Sequence, residues 1–157
     1  MRLFAWFLCV ALSASACGGA ADGTGCREIR EDIDPLSVQH VLGAAEPIYL
    51  TDPPTSGPHA SGPAVMGLFD EPIAKPAQVR ALESGGVVVQ YMTPLTDVGL
   101  RTLLDNNNVA IAIAPAESLP ALVVATAWTW KLICDDVNLD AIRSFAAQRP
   151  SGAPGDD

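Results

Sequence analysis

The run Tyr49-Leu-Thr-Asp-Pro-Pro-Thr-Ser-Gly-Pro-His59 constrains the backbone of this chain more than any other stretch. Pro53, Pro54 and Pro58 each fix φ and push the preceding residue toward extended conformations. Gly57 supplies freedom where a sharp bend needs it. Thr55 and Ser56 can close local turns by bonding backbone through their hydroxyls. The sequence therefore predicts a stiff loop that holds His59, one of two histidines in the chain, in one place at little entropic cost.

The chain opens on a targeting segment. Arg2 is a minimal positive start, and Leu3 to Leu12 is an apolar core too short for a comfortable membrane span. Leu12-Ser-Ala-Ser-Ala-Cys17 then resembles the lipobox of bacterial lipoproteins. That resemblance implies cleavage before Cys17, lipidation of Cys17 and attachment to the membrane through its acyl chains. Plain secretory cleavage after Ala16 is the alternative. Gly18 to Gly25 is small and unpatterned, as a tether should be. Gly18 after the cysteine points to the outer membrane in a host that has one. The expected organisation is a signal peptide at 1–16, lipidated cysteine and tether at 17–27, one domain at 28–150 and a disordered tail at 151–157.

The remaining length, roughly 130 residues, suffices for a single core. The net charge is −9 with no basic cluster, which argues against nucleic acid and against charge-driven binding to anionic lipid. An envelope protein or a small ligand is the partner class left. Cys9 leaves with the signal and Cys17 carries lipid, so Cys26 and Cys134 remain to form a disulfide in an oxidising compartment. Two unpaired thiols are the alternative. A bridge would close a loop of about 100 residues, for which chain entropy allows about 4–5 kcal/mol.

Further along, Pro47 to Leu50 and Met66 to Phe69 are candidate short strands. Lys75 to Glu83 reads as a helix with Pro76 in its first turn, ended by Gly85-Gly86. Val87 to Tyr91 is a strand. Thr93-Pro94 starts a helix of about three turns with Leu100, Leu103 and Leu104 as its stripe, and Asn106-Asn-Asn108 closes it. Val109 to Pro115 is a second strand, with large residues on one face and alanines on the other. These three elements predict one right-handed β-α-β crossover with parallel pairing. Ala121 to Cys134 reads as two strands or one bent one, in which Leu122, Val124, Thr126, Trp128, Trp130 and Leu132 share a face. Asn138 caps a last helix with Leu139, Ile142 and Phe145 inward, stopped by Arg149-Pro150. The fold class is α+β: a small single domain with a mixed sheet and helices packed on it.

Pro53-Pro-Thr-Ser-Gly-Pro-His59, a Gly-Gly-Val-Val strand about 25 residues later and Thr126-Ala-Trp128 near the end resemble the bacterial family of domains of unknown function numbered 3105. Its members are mostly secreted or membrane-anchored, and the resemblance covers roughly Val38 to Arg149. Typical members carry a histidine before the loop, the motif histidine, and a His-x-Leu-Glu-His-Gly segment. His40 and His59 match the first two. The third departs: it reads Arg80-Ala-Leu-Glu83-Ser84-Gly85, with Arg80 and Ser84 in the histidine positions. Two histidines four apart on a helix, with two from loops, would suit a metal. The resemblance thus implies metal or redox chemistry, while this chain lacks half the imidazole set.

Three candidate chemistries follow. His40 and His59, with Met66 as a soft ligand, would hold copper or zinc; the plainer reading makes His59 structural and Met66 core. Ser84 as nucleophile, His59 as base and Glu83 as partner would make a hydrolase, although Leu-Glu-Ser-Gly-Gly is not a nucleophile elbow. Arg80 and Glu83, three apart on a helix, would equally form a surface pair. Trp128 and Trp130 would serve as a ligand platform or as core, and Asp135-Asp136 as a calcium turn or a solvated loop. The favoured reading is an extracytoplasmic lipoprotein with a non-catalytic binding or structural role; a metal domain is the alternative and a hydrolase the third choice.

Overall fold

A computed structural model describes residues 25–42, 46–93, 99–105, 109–148 and 153–154. The strands are β1 (Cys26–Arg30), β2 (Gly67–Leu68), β3 (Val87–Met92), β4 (Ile111–Ala116), β5 (Val123–Ala127) and β6 (Trp130–Cys134). The helices are α1 (Lys75–Glu83) and α2 (Leu139–Gln148). All six strands form one sheet in the order β1-β6-β5-β3-β4-β2. β4 pairs parallel with β3 and with β2, and the other neighbours are antiparallel. Among the described residues, a mixed sheet with two helices makes this a small α+β domain.

Alternation along the strands sorts the core into two layers. Val87, Val89, Ile111, Ile113, Val123 and Leu132 face α2, whose Ile142 and Phe145 are buried against them. Val88, Ala112 and Ala114 face the other way, toward Val79 and Leu82 of α1. The alanine face of β4 therefore lies on a helix side, as its small residues suggest. Asn138 Oδ1 accepts from the Ala141 amide at 3.0 Å, capping α2.

The three-turn helix expected between β3 and β4 is not what the described residues show. Leu100–Leu103 is a single 3-10 turn. Such a turn aligns residues three apart, which is enough to bury both leucines. The expected first helical position, Pro94, and the stop at Asn106–Asn108 lie outside the described residues, so parallel pairing of β3 with β4 is observed but an α-helical crossover is not established. Pro47 to Leu50 forms no strand; Ile48 and Leu50 are exposed, and Pro47 has no amide to donate to a ladder.

The stripe read from Leu122 to Leu132 is also corrected. β5 and β6 form a hairpin in which Ala127 faces Trp130, so the chain reverses at Trp128-Thr129. Thr129 takes φ 60°, a conformation uncommon for a β-branched residue. Val124, Thr126 and Trp128 consequently lie opposite Trp130 and Leu132. Trp128 is buried on the α1 side, whereas Trp130 packs on the α2 side with the Arg30 guanidinium 5.5 Å from its ring centre. The two rings form no common platform.

β1 takes in Cys26 and Arg27, which the sequence assigns to the tether. Cys26 lies directly across from Cys134 in the β1–β6 ladder, and the two are joined by a disulfide. At the other end, Ala153, assigned above to the tail, is buried on the α1 side. The signal segment, Cys17 and the stop at Arg149-Pro150 lie outside the described residues.

The end of α1 is closed by two glycines. Gly85 (φ 78°) donates to Leu82 O and Gly86 to Ala81 O, a Schellman closure that turns the chain straight into β3. A Cβ on Gly86 would stand 2.9 Å from Ala81 O, 3.1 Å from Ala110 O and 2.7 Å from Met66 Cε. The methionine can swing away; the two carbonyls cannot. Gly86→Ala should cost about 2 kcal/mol or more by denaturant unfolding, whereas the same change at Gly62, where an added Cβ meets nothing within 4 Å, should show only the backbone cost of its positive φ.

Candidate functional site

Pro53 to His59 is buried throughout. A loop inside a protein must find partners for its polar groups, and this one is braced from four directions. The Asp34 amide donates to Ser56 Oγ at 2.9 Å, and the Gly57 amide to Ser37 Oγ at 3.0 Å. Tyr49 Oη donates to Pro58 O at 2.9 Å. Thr55 O accepts from the Thr129 amide in the hairpin turn. The fourth brace is ionic. Glu31 Oε2 accepts from Thr51 Oγ1 at 2.6 Å and Thr55 Oγ1 at 2.8 Å, while Oε1 accepts from Lys131 Nζ at 2.8 Å.

Glu31 and Lys131 escaped the sequence reading. The pair spans 100 positions and no local pattern joins it. The available signal was a lysine inside the apolar strand Trp-Lys-Leu-Ile-Cys, since buried lysines almost always have a partner. Burial pushes the Glu31 carboxyl up, but the hydrogen bonds from Lys131, Thr51 and Thr55, with the Lys131 charge, outweigh it and hold the group below the ordinary carboxylate value.

Gly57 is required here for space as well as conformation. Its φ is 123°, and a Cβ would meet the Tyr49 ring at 3.0 Å and Asp34 Oδ2 at 3.1 Å. Burial, then Glu46 and Asp34, push the Tyr49 phenol up to about 12 from an ordinary 10.0. The unfolded chain ionises first, so this stabilisation is present below pH 10 and is lost as pH rises toward about 12. Tyr49→Phe should flatten that alkaline loss in melting curves, at a cost near neutrality of about 1 kcal/mol for the bond to Pro58.

The structure brings His40 and His59 together. Val41 donates to His59 O and His59 to Gln39 O, and the two rings meet edge to face with centres 4.7 Å apart. His40 is exposed and His59 is 2% exposed. His59 Nε2 lies 3.0 Å from Glu83 Oε2, and Nδ1 lies 3.4 Å from Gly57 O. Arg80 Nη1 donates to the same Glu83 oxygen at 2.7 Å, and its Nε to Gly62 O at 2.8 Å. The segment Arg80 to Ser84 thus holds the motif histidine through Glu83, with Arg80 balancing the carboxylate.

Those contacts do not fit a metal centre. Both His59 nitrogens face oxygen partners, and a guanidinium stands beside the nearest carboxylate. Met66 packs on Gly86 and the α1-side core. Among the described residues no group of three or more His, Cys, Asp or Glu side chains is placed to hold an ion. Ser84 Oγ donates back to Arg80 O at 3.1 Å, a bond within the helix rather than one to His59.

The model of the family described as protein of unknown function DUF3105 matches residues 40–156. The chain belongs to this family. No curated protein and no solved structure matches it. The DUF3105 match takes in the proline loop, both histidines and the Arg80–Ser84 segment. It leaves out β1, Glu31, Asp34 and Ser37, so much of what braces the loop comes from residues ahead of the matched region. No helix among the described residues is long and apolar enough to cross a membrane.

Proposed function

We propose that this DUF3105 protein is exported, anchored through lipid on Cys17, and serves a non-catalytic binding or structural role in the cell envelope. One observation carries the reading: the polar groups of the proline loop are engaged by partners within the fold. A reactive centre keeps an acceptor or nucleophile available to its substrate; here His59 is engaged by Glu83, and Ser84 by its own helix. The loop instead fixes residues 33–42 and 46–50, to which it bonds at Asp34, Ser37, Gln39, Val41 and Tyr49. Those segments expose Val38, Leu42, Ile48 and Leu50, apolar residues of the kind found at contact surfaces.

Two measurements test this. Cells fed an alkyne-tagged fatty acid should label the chain, and Cys17→Ala should abolish the label; an unlabelled wild-type chain found free of membranes would overturn the anchor. The purified protein should neither retain copper or zinc stoichiometrically nor react at Ser84 with an acylating probe. Stoichiometric metal lost on His59→Ala would make the metal reading correct.

A further inference from the structure

We propose that residues 38–42 form a docking edge at which two copies of this chain pair as antiparallel strands about a twofold axis at His40. The run lies parallel to His59 and is bonded to it on one side. Gln39 O accepts from the His59 amide at 3.0 Å, and the Val41 amide donates to His59 O at 2.8 Å. Where Gln39 and Val41 supply those bonds, the N–H and C=O of His40 between them point to the other side of the strand. Neither group has a hydrogen-bond partner among the described residues. The run is uncovered: His40 is exposed, and Val38 and Leu42, two residues to either side, are 86% and 90% exposed. An unpaired backbone donor and acceptor flanked by bare apolar side chains is a template for an added strand.

The edges of the main sheet are blunted. β1 carries Arg27, Glu28 and Arg30, and β2 is two residues long. The 38–42 edge has neither protection: apart from His40, the one ionisable side chain in residues 33–42 is Asp34, which is 5% exposed. Symmetry selects the occupant. About a dyad at His40, each copy's His40 N–H meets the other's C=O, and Val38 of each comes opposite Leu42 of the other. The edge therefore supplies its own complement, donor to acceptor and apolar to apolar. Charge agrees, because two copies of net charge −9 repel unless they meet through a face as poor in carboxylates as this one. A short edge buries less than the roughly 1,200 Å² of a standard interface, so the dimer is a weak one, with a Kd of about 10 µM or higher. Such pairing rests on the binding role proposed above, whose partner it names, and needs no lipid on Cys17.

Cysteine crosslinking of the purified full chain tests the pairing and its register. Under mild oxidation His40→Cys should form a covalent dimer by itself, because a hydrogen-bonded antiparallel pair stands about 5.5 Å apart between α-carbons, within disulfide reach. Val38→Cys should bridge to Leu42→Cys in a mixture and not to itself. Wild type treated alike gives the background from Cys17. By sedimentation, Val38→Glu should weaken dimerisation about tenfold or more, since two cross-strand pairs are lost per dimer. Melting should be unchanged at so exposed a position. Adding Leu42→Lys should restore the dimer, because the two substituted positions meet across the dyad. A chain monomeric at about 200 µM, a His40→Cys yield no higher than that of wild type, Val38→Cys bridging to itself as readily as to Leu42→Cys, or no rescue by Leu42→Lys would each overturn the pairing. A monomeric chain would leave the binding role to a different partner, and the acyl-labelling test above stands or falls separately.

Discussion

Glu31→Ala should cost about 3–5 kcal/mol, a large share of the stability of a domain this size. Lys131 is 4% exposed and Glu31 12%. Removing the carboxylate strands a buried ammonium and leaves the Thr51 and Thr55 hydroxyls without their shared acceptor. Glu31→Gln should be milder, since an amide oxygen still accepts, but it leaves the lysine charge unmatched. The effect has a pH signature. Because the folded carboxyl titrates below its unfolded value, its contribution is complete above the ordinary carboxylate range and is lost as pH falls through the depressed value. Wild type should therefore lose stability on acidification more steeply than Glu31→Gln. Parallel acid limbs in the two proteins would contradict this role for Glu31.

The second large effect is loss of the Cys26–Cys134 bridge. It links positions 108 apart in sequence, and the chain-entropy model gives about 4–5 kcal/mol for such a loop. Cys26 and Cys134 changed together to alanine, or wild type melted with and without reductant, should show a loss of that order. The cost should not add to that of Glu31→Ala. The bridge pins β1 in register against β6, and β1 delivers Glu31 to Lys131, so whichever change comes second should cost less. Full additivity in a double-mutant cycle would show that β1 holds its place without the bridge.

What could be read from the sequence was local and strongly patterned. The bounds of α1, the Val-rich β3, the capped α2 and the last two cysteines each announce themselves within a short window. β1 was missed because it is an edge strand made largely of charged residues, a composition that suits an edge by discouraging further pairing. The β5–β6 face was misread because Trp128-Thr129 is not a turn-forming dipeptide, yet it makes the turn. At the candidate site the sequence marked the loop, His59 and the Arg80–Ser84 segment. It could not show that Glu83 engages the histidine, nor that Glu31 arrives from outside the motif, because both contacts depend on the finished sheet.

Native-state hydrogen exchange most directly tests whether the proline loop is a buried structural element rather than an adaptable reactive one. The Gly57 and His59 amides, bonded to Ser37 Oγ and Gln39 O, should exchange only through global unfolding, with the same free energy as the β3 amides. In Glu31→Ala all of these should fall together. Exchange at Gly57 and His59 as fast as in exposed loops, with β3 still protected, would mean that the loop opens on its own, and would contradict its role as a fixed brace.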